Sequence, residues 1–325
     1  MPRVRYLARR LGHSVMVVFG VTVLSFLFAE AAPGSVLDDL RLDPRVSATT
    51  IATLRDRYGL DRSLPEKYLY WIRSVARGEL GFSVAYDSPV GPILWPRVRN
   101  TLLLTVPATV LAWMIAIPAG AWAARRKGGS GDRAAAAATT VLLSVPELLI
   151  GLCLLLLAVR TGWAPTGGMV SLDFDELGAW RKAQDIAWHF FLPVAALVLV
   201  MLPMLVRHVR ASFIDVLNAP FIQAARAAGI PERRVLFRSA LRAAANPLIS
   251  LLGLSIAGLL SASLVVETVM SWPGLGPLLV DAVAARDLHL VIGAVVCSTL
   301  LLIGGSLVAD GLLYFADPRI RAERP

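Results

Sequence analysis

Six stretches of this sequence are apolar for long enough to cross a lipid bilayer, which takes about 20 residues. They run approximately Leu11–Ala32, Thr101–Ala124, Ala134–Val159, His189–Val206, Leu248–Met270 and Leu290–Phe315. The fourth is the shortest and carries both Pro193 and Pro203. With 56% hydrophobic residues, 17% charged residues and a mean hydropathy of +0.65, the 325-residue chain has the composition of a polytopic membrane protein. The expected fold class is all-α, with six transmembrane helices. An even number of spans puts both termini on one side.

The basic residues choose the side. Arg3, Arg5, Arg9 and Arg10 precede the first span, and Arg125, Arg126, Lys127 and Arg133 crowd the short loop between the second and third. Arg207, Arg210, Arg226, Arg233, Arg234, Arg238 and Arg242 fill the stretch between the fourth and fifth, and Arg319, Arg321 and Arg324 end the chain. These are 18 of the 32 basic residues, whereas the two short loops of the opposite face hold Arg160, Arg181, Lys182 and Arg286. The other ten lie in the long segment 33–100, and long segments cross largely regardless of charge. Both termini and the arginine-rich stretch are therefore expected in the cytoplasm. The net charge of +9 follows from this topology and gives no support to nucleic-acid binding.

The expected organisation is residues 1–32 as cytoplasmic N-terminus and first span, and 33–100 as a helical extracytoplasmic subdomain. Residues 101–316 form the membrane core, with two cytoplasmic helices inside 215–246, and 317–325 form a cytoplasmic tail. At the N-terminus, basic residues, an apolar run and Ala29-Glu30-Ala31 also fit a cleaved signal peptide. Against cleavage, the run reaches about 20 residues, enough to span. In the extracytoplasmic piece, Asp38–Tyr58 is charged and amphipathic, Tyr58-Gly59-Leu60-Asp61 marks a helix end, and Tyr68, Leu69, Ile72 and Val75 recur at helical spacing within Glu66–Ala76. Ten basic and eight acidic residues leave it nearly balanced, as a water-exposed subdomain should be.

Pro220 to Pro247 is a polar island in this apolar chain. A first short helix is expected over Ala219–Ala228, ended by Gly229 in the left-handed geometry that glycine adopts without strain. Pro231 then fits the first turn of a second helix, with Glu232 at its positive end. Arg234, Arg238 and Arg242 recur every four residues along that helix, and Pro247 is expected to close it. A solvated basic loop would not need this order of helix, glycine, proline and basic helix.

At these residues the chain resembles the permease subunits of ABC importers. QAARAAG followed by a basic helix and Asn-Pro is similar to their "EAA" loop, and AARAAGIPERRVLFRSALRAAANP to its form in the oligopeptide/dipeptide/nickel branch. Carried over, the loop would make Gln223, Ala224, Ala225, Arg226 and Gly229 the coupling-helix residues that dock on an ATP-hydrolysing subunit. Gln223 departs from the pattern, which has Glu there. RYLARRL, LDRSLPEKYLYW, RGELGFS, VVETVMSWPGLG and ADPRIR resemble the same branch, so the likeness covers nearly the full chain. It implies a type I ABC importer-like fold in a bacterial or archaeal inner membrane. It also implies a second, related permease, one or two P-loop ATPases carrying ATP and Mg, and an extracytoplasmic solute-binding protein.

Ionisable groups inside a span are costly and so informative. Glu147 follows Pro146 in the third span, Glu267 lies near the outer end of the fifth and Asp310 near the inner end of the sixth, where structural pairing suits it. Glu267 fits either a water-filled pathway or a headgroup-level ion pair. Trp272, Pro273, Gly274 and Gly276 follow in a segment that cannot continue a helix. Irregular backbone at that depth needs protein or a water-lined cavity around it, so these residues with Glu267 are candidates for the translocation pathway or its gate. Gly253, Ala257 and Ser261 offer a small face for close helix approach.

Other chemistry is absent from the sequence. Lys67, Lys127 and Lys182 precede Tyr, Gly and Ala, so there is no Lys-Ser/Thr phosphate loop and no ATPase is expected on this chain. His13, His189, His208 and His289 are dispersed, and no metal site is expected. Cys153 and Cys297 fall inside spans as small hydrophobes. Gly128-Gly129-Ser130-Gly131 reads as a flexible cytoplasmic turn. The competing class is an ion-coupled carrier or membrane-embedded enzyme using Glu147 and Glu267. A carrier should show an inverted repeat, and an enzyme paired catalytic groups; neither pattern is found.

Overall fold

The computed structural model describes residues 2–31 and 63–316. In order come α1 (Pro2–Ala31), α2 (Leu64–Ala76), the strands β1 (Phe82–Ser83) and β2 (Ser88–Pro89), α3 (Val90–Arg125), α4 (Ser130–Ser144) and α5 (Glu147–Thr161). They are followed by α6 (Ala179–Leu217) and α7 (Pro220–Ala227). A helical turn Glu232–Arg234, a π-helical segment Val235–Ala240 and α8 (Leu241–Val269) then form one continuous run, before α9 (Leu275–Ala284) and α10 (Leu288–Ala316). The stretch from Asp38 to Asp61 and the Asp317–Arg321 end of ADPRIR lie outside the described residues.

Five helices among the described residues are long and apolar enough to cross a membrane, and α4 with α5 would make a sixth span. That third span is not the straight helix expected over Ala134–Val159: it is bent by 96° between Ser144 and Glu147. The cause is Pro146, which lacks an N–H and drives the residue before it out of helical geometry. Val145 is accordingly extended at ψ 121°. Glu147 therefore opens α5, where the positive end of a helix favours an acid.

The other internal prolines behave differently. Pro193 and Pro203 are buried within the unbroken 39 residues of α6. Pro247 does not close the basic helix, as expected, but sits inside α8. The second helix of the polar island is thus the head of a 38-residue rod, Glu232–Val269.

The chain divides into two compact units, residues 1–100 with 273–301 and residues 101–272 with 302–325. In the first, α2 is started by Ser63, whose N–H donates to the Glu66 carboxylate at 3.0 Å, and ended by Gly78 at φ 85°. It packs on α1 through aromatic edges: Phe26 meets Tyr68 at 5.2 Å and Trp71 at 5.6 Å, and the Tyr68 and Thr22 hydroxyls are 3.0 Å apart. Phe26, Trp71, Ile292 and Val296 bury one another. Asp287 joins the hairpin to α10. Its carboxylate accepts the Ser83 hydroxyl at 2.7 Å, the Ala85 N–H at 3.1 Å and the Leu290 N–H at 3.1 Å, so it caps α10 as well.

In the second unit α6 is the spine, with α4, α5 and α8 packed along it. A Cβ on Gly120 of α3 would stand 2.7 Å from Val209, so only glycine permits that approach to α6. Trp113 donates its indole N–H to the Ser255 hydroxyl at 3.2 Å, tying α3 to α8. Of the small-residue face expected on α8, Gly253 faces Ala309 of α10, Ala257 is half-buried and Ser261 is exposed, while the buried register runs through Leu251, Ser255, Leu259 and Ala262.

Gly304 and Gly305 of α10 give a matched test of this packing. A Cβ at Gly305 would collide with Ile256, whereas one at Gly304 meets nothing within 4 Å. Gly305→Ala is expected to destabilise by about 1–3 kcal/mol through overpacking. Gly304→Ala should be neutral or up to about 1 kcal/mol stabilising through helix propensity. Thermal melts in detergent followed by tryptophan fluorescence would compare the two.

Candidate functional site: the α7 hairpin and the loop after α8

The first short helix expected over Ala219–Ala228 forms as the 8-residue α7. Ala219 is extended and its carbonyl accepts the Ile222 N–H at 3.0 Å, while Pro220 supplies a helical φ in the first turn. One residue anchors it: Ile222 is fully buried in the core cluster that also holds Phe213, Leu217, Val235 and Leu236. Ala225 is half-buried, whereas Gln223, Ala224, Arg226 and Gly229 are exposed, as is Phe221 at 51%. The helix thus lies on the protein by one edge and offers the other to solvent.

Its end is fixed by backbone geometry. Gly229 sits at φ 73°, its N–H donates to the Arg226 carbonyl at 3.0 Å, and the Ile230 N–H donates to the Ala225 carbonyl at 3.2 Å. This pair of bonds satisfies carbonyls that the helix leaves open. Arg226 then grips Glu232 across the turn, Nη2 to Oε1 at 2.8 Å and Nε to Oε2 at 3.2 Å. These hydrogen bonds hold the Glu232 carboxyl below its usual range and raise the Arg226 guanidinium in return. A carboxyl lowered in this way lends stability that is present above its ordinary value of 4.5 and is lost as pH falls through the depressed one. Gln223 donates its amide to the Asn218 carbonyl at 3.4 Å, a bond a carboxylate at this position cannot donate.

A second contact braces this region, and it was missed in the sequence. Asp132, at the head of α4, takes a two-pronged hydrogen bond from Arg210 of α6, at 2.5 Å from Nε and 2.7 Å from Nη2. The same carboxylate accepts the Gly128 N–H at 2.9 Å, so Gly128–Gly131 is a defined turn and not the flexible one expected. A Cβ on Gly131 would stand 2.6 Å from the Trp122 ring tip and would make that ring, over which Arg126 lies at 4.7 Å, shift. A lone acid among basic residues was the available signal, but its partner is 78 residues away.

The pathway candidates lie at the end of α8 and in the loop that follows. Glu267 is buried and its backbone carbonyl accepts the Trp272 N–H at 2.8 Å. Ser271 between them adopts φ 51°. Trp272 is buried edge-on against Phe190, ring centres 4.7 Å apart. In the other unit, the Pro273 carbonyl accepts the Asn100 amide at 2.9 Å, Gly274 is the N-cap of α9, and Gly276 is buried in its first turn. Gly276 therefore continues a helix, while the break itself falls at Met270–Gly274. Among the described residues no three His, Cys, Asp or Glu side chains converge as metal ligands.

A profile of the family described as "Binding-protein-dependent transport system inner membrane component" matches residues 116–322. The chain belongs to this family. It is 37% identical to the oligopeptide transport system permease protein AppB of Bacillus subtilis (strain 168), over 97% of this chain and 98% of that one. It is 32% identical to the dipeptide transport system permease protein DppB of Escherichia coli (strain K12), over 98% and 99%. The glutathione transport system permease protein GsiC of Escherichia coli O6:H1 is 34% identical over 97% and 98%. The fold is similar to a solved inward-facing structure of the MetNI methionine ABC transporter. The TM-score is 0.57, with 16% identity, 69% of this chain and 96% of that one covered. Membership of the family makes the chain a multi-pass inner-membrane permease component.

Substitutions at Gly229 should follow backbone strain, since no atom lies within 4 Å of a Cβ there. Gly229→Asn should be best tolerated, Gly229→Ala should cost about 1–2 kcal/mol locally, and the β-branched Gly229→Val more. Solute uptake by membrane vesicles at equal expression should fall in that order, with Gly229→Val inserted but inactive.

Proposed function

We propose that the chain forms one half of the translocation pathway of an ATP-driven importer for peptides or a related small solute. The observation that carries this is the α7 hairpin: a short helix anchored by Ile222, closed by Gly229 and Glu232, and exposed along Gln223, Ala224 and Arg226. Such a surface suits docking into a groove on a separate ATPase, which would hold the ATP and Mg. The arginine-rich end, with both termini, lies in the cytoplasm, as the distribution of basic residues supports. A second, related permease supplies the other half of the pathway. An extracytoplasmic solute-binding protein delivers cargo on the opposite side, where the subdomain 33–100 would receive it. The peptide cargo is inferred from the names of the relatives.

Glu267, Trp272, Pro273, Gly274 and Gly276 are proposed as the pathway-side gate, because an ionisable residue and a helix break coincide there. Replacing Glu267 by Gln should reduce uptake of cationic peptides by at least about tenfold, the factor that corresponds to roughly 1.4 kcal/mol. Uptake of neutral peptides should change little. Equal losses for both would assign Glu267 to packing.

The function is tested by purifying the tagged chain from its native membrane in mild detergent and identifying stoichiometric companions by mass spectrometry. A second six-span permease and one or two phosphate-loop ATPases are expected, and the ATPases should be lost in Gly229→Val. Recovery of the chain alone would overturn the docking role of α7. A reporter fused after Pro325 should be active only in its cytoplasmic form.

A further inference from the structure

The basic stripe of the polar island is not used by the α7 hairpin. Arg234, Arg238 and Arg242, with Ser239, Phe221, Ile230 and Ala243, line an open groove of about 560 Å³. All three arginines are exposed, and none is within ion-pair distance of a carboxylate among the described residues. Phe221 and Ile230 bring exposed apolar surface to the same groove, at 51% and 36%.

The backbone explains why three arginines share one groove. In an α-helix each four-residue step turns by about 40°, so Arg234 and Arg242 would diverge by about 80°. The π-helical segment Val235–Ala240 lies between them. Its wider turns advance each residue by less than an α-helix does, which takes back that drift. Like charges four residues apart on one rod repel one another. An anion seated between them removes that repulsion.

Depth identifies the anion. The arginines stand on the same rod as the apolar span that begins near Leu248. At a rise of about 1.5 Å per residue, Arg242 is about 9 Å and Arg238 about 15 Å from that span's first turn. The headgroup layer occupies roughly 5–8 Å outside the hydrocarbon, and an arginine side chain reaches across the remainder. Guanidinium groups bind phosphate oxygens in a two-pronged fork, and basic pockets at the cytoplasmic ends of transmembrane helices suit anionic headgroups.

On the topology proposed above, we infer that this groove is a binding site for the phosphate headgroup of an anionic phospholipid of the cytoplasmic leaflet. Arg238 and Arg242 hold the phosphate, Arg234, about 21 Å from the span, adds its charge from farther out, and Phe221 and Ile230 cover the apolar side. The site would then put the lipid beside α7, so that leaflet charge and the docking hairpin are read by adjacent residues.

The test uses the full chain with its co-purifying subunits, stripped of lipid by detergent exchange. It is offered phosphatidylglycerol, phosphatidylcholine or inorganic phosphate, and retained molecules are counted by native mass spectrometry. Phosphatidylglycerol should be retained at least tenfold over phosphatidylcholine. At about fivefold per arginine, Arg234→Gln/Arg238→Gln/Arg242→Gln should weaken retention roughly a hundredfold. Arg125→Gln/Arg126→Gln/Lys127→Gln removes equal charge elsewhere and should leave retention unchanged. The corresponding triple Arg→Lys variant, which keeps the charge, should retain most of it and guards against misfolding of the glutamine variant. Equal losses in the two glutamine variants, or equal retention of the two lipids, would overturn the site. So would displacement by millimolar inorganic phosphate, which would indicate a soluble anion. Loss of an ATPase subunit with lipid retention intact would mark the groove as a protein-docking surface and also overturn it.

Discussion

The last carbonyls of a helix have no donor within it and must be met by something else, in water or, where lipid offers no partner at all, within the protein. One device does this repeatedly. α2, α7, α8 and α9 are each followed by a residue of positive φ, Gly78, Gly229, Ser271 and Arg286. In each case the next residue's N–H turns back to the last helical turn, as from Glu79 to Ser74, Ile230 to Ala225, Trp272 to Glu267 and Asp287 to Ala282. Glycine accepts the geometry freely. Ser271 and Arg286 carry about 1–2 kcal/mol of local strain, which neighbouring contacts must offset. Those contacts are visible: Trp272 is buried beside Phe190, and Asp287 is gripped by Ser83, Ala85 and Leu290.

The apolar spans and the helix–glycine–proline order of the α7 region were legible because each depends on local sequence. The fate of individual prolines was not. Pro146 breaks its helix by 96°, while Pro193, Pro203 and Pro247 do not. Burial does not separate them: Pro193 and Pro203 are buried on α6, but Pro247 is exposed like Pro146 and still sits inside α8. Nor does the residue before the proline, since β-branched Val145 precedes the break while β-branched Ile117 precedes Pro118 within unbroken α3. Neither the proline nor its neighbour in sequence therefore tells a break from a continuation.

The candidate site shows the same division. Gly229 announced a left-handed helix end, and Glu232 was recognised as an acid suited to a helix start. That Arg226 would reach Glu232 could not be read from helical periodicity, because the turn at Gly229 interrupts it. The Asp132–Arg210 contact spans two helices and gives no local pattern at all. The π-helical segment was invisible for a related reason: Val235–Ala240 has an ordinary helix-compatible composition, so only its packed surroundings select the wider turn.

These contacts differ in stiffness, and that difference bears on how α7 would pass on a push from outside. The Arg226–Glu232 fork is exposed on both sides, at 41% and 37%, so water and salt screen it and its closure is soft. Ile222 is fully buried among Leu217, Val235 and Leu236, and cannot be displaced without moving them. Asp132 is only 6% exposed, and removing its charge would leave the Arg210 guanidinium without its bidentate partner. α7 packs on both α6 and the Val235–Ala240 segment, so a displacement of its buried edge would be felt by both rods. Asp132 ties α4 to the first of them through Arg210. On the docking role proposed above, this combination would let the surface of the hairpin accommodate a partner while its root stays tied to the helices.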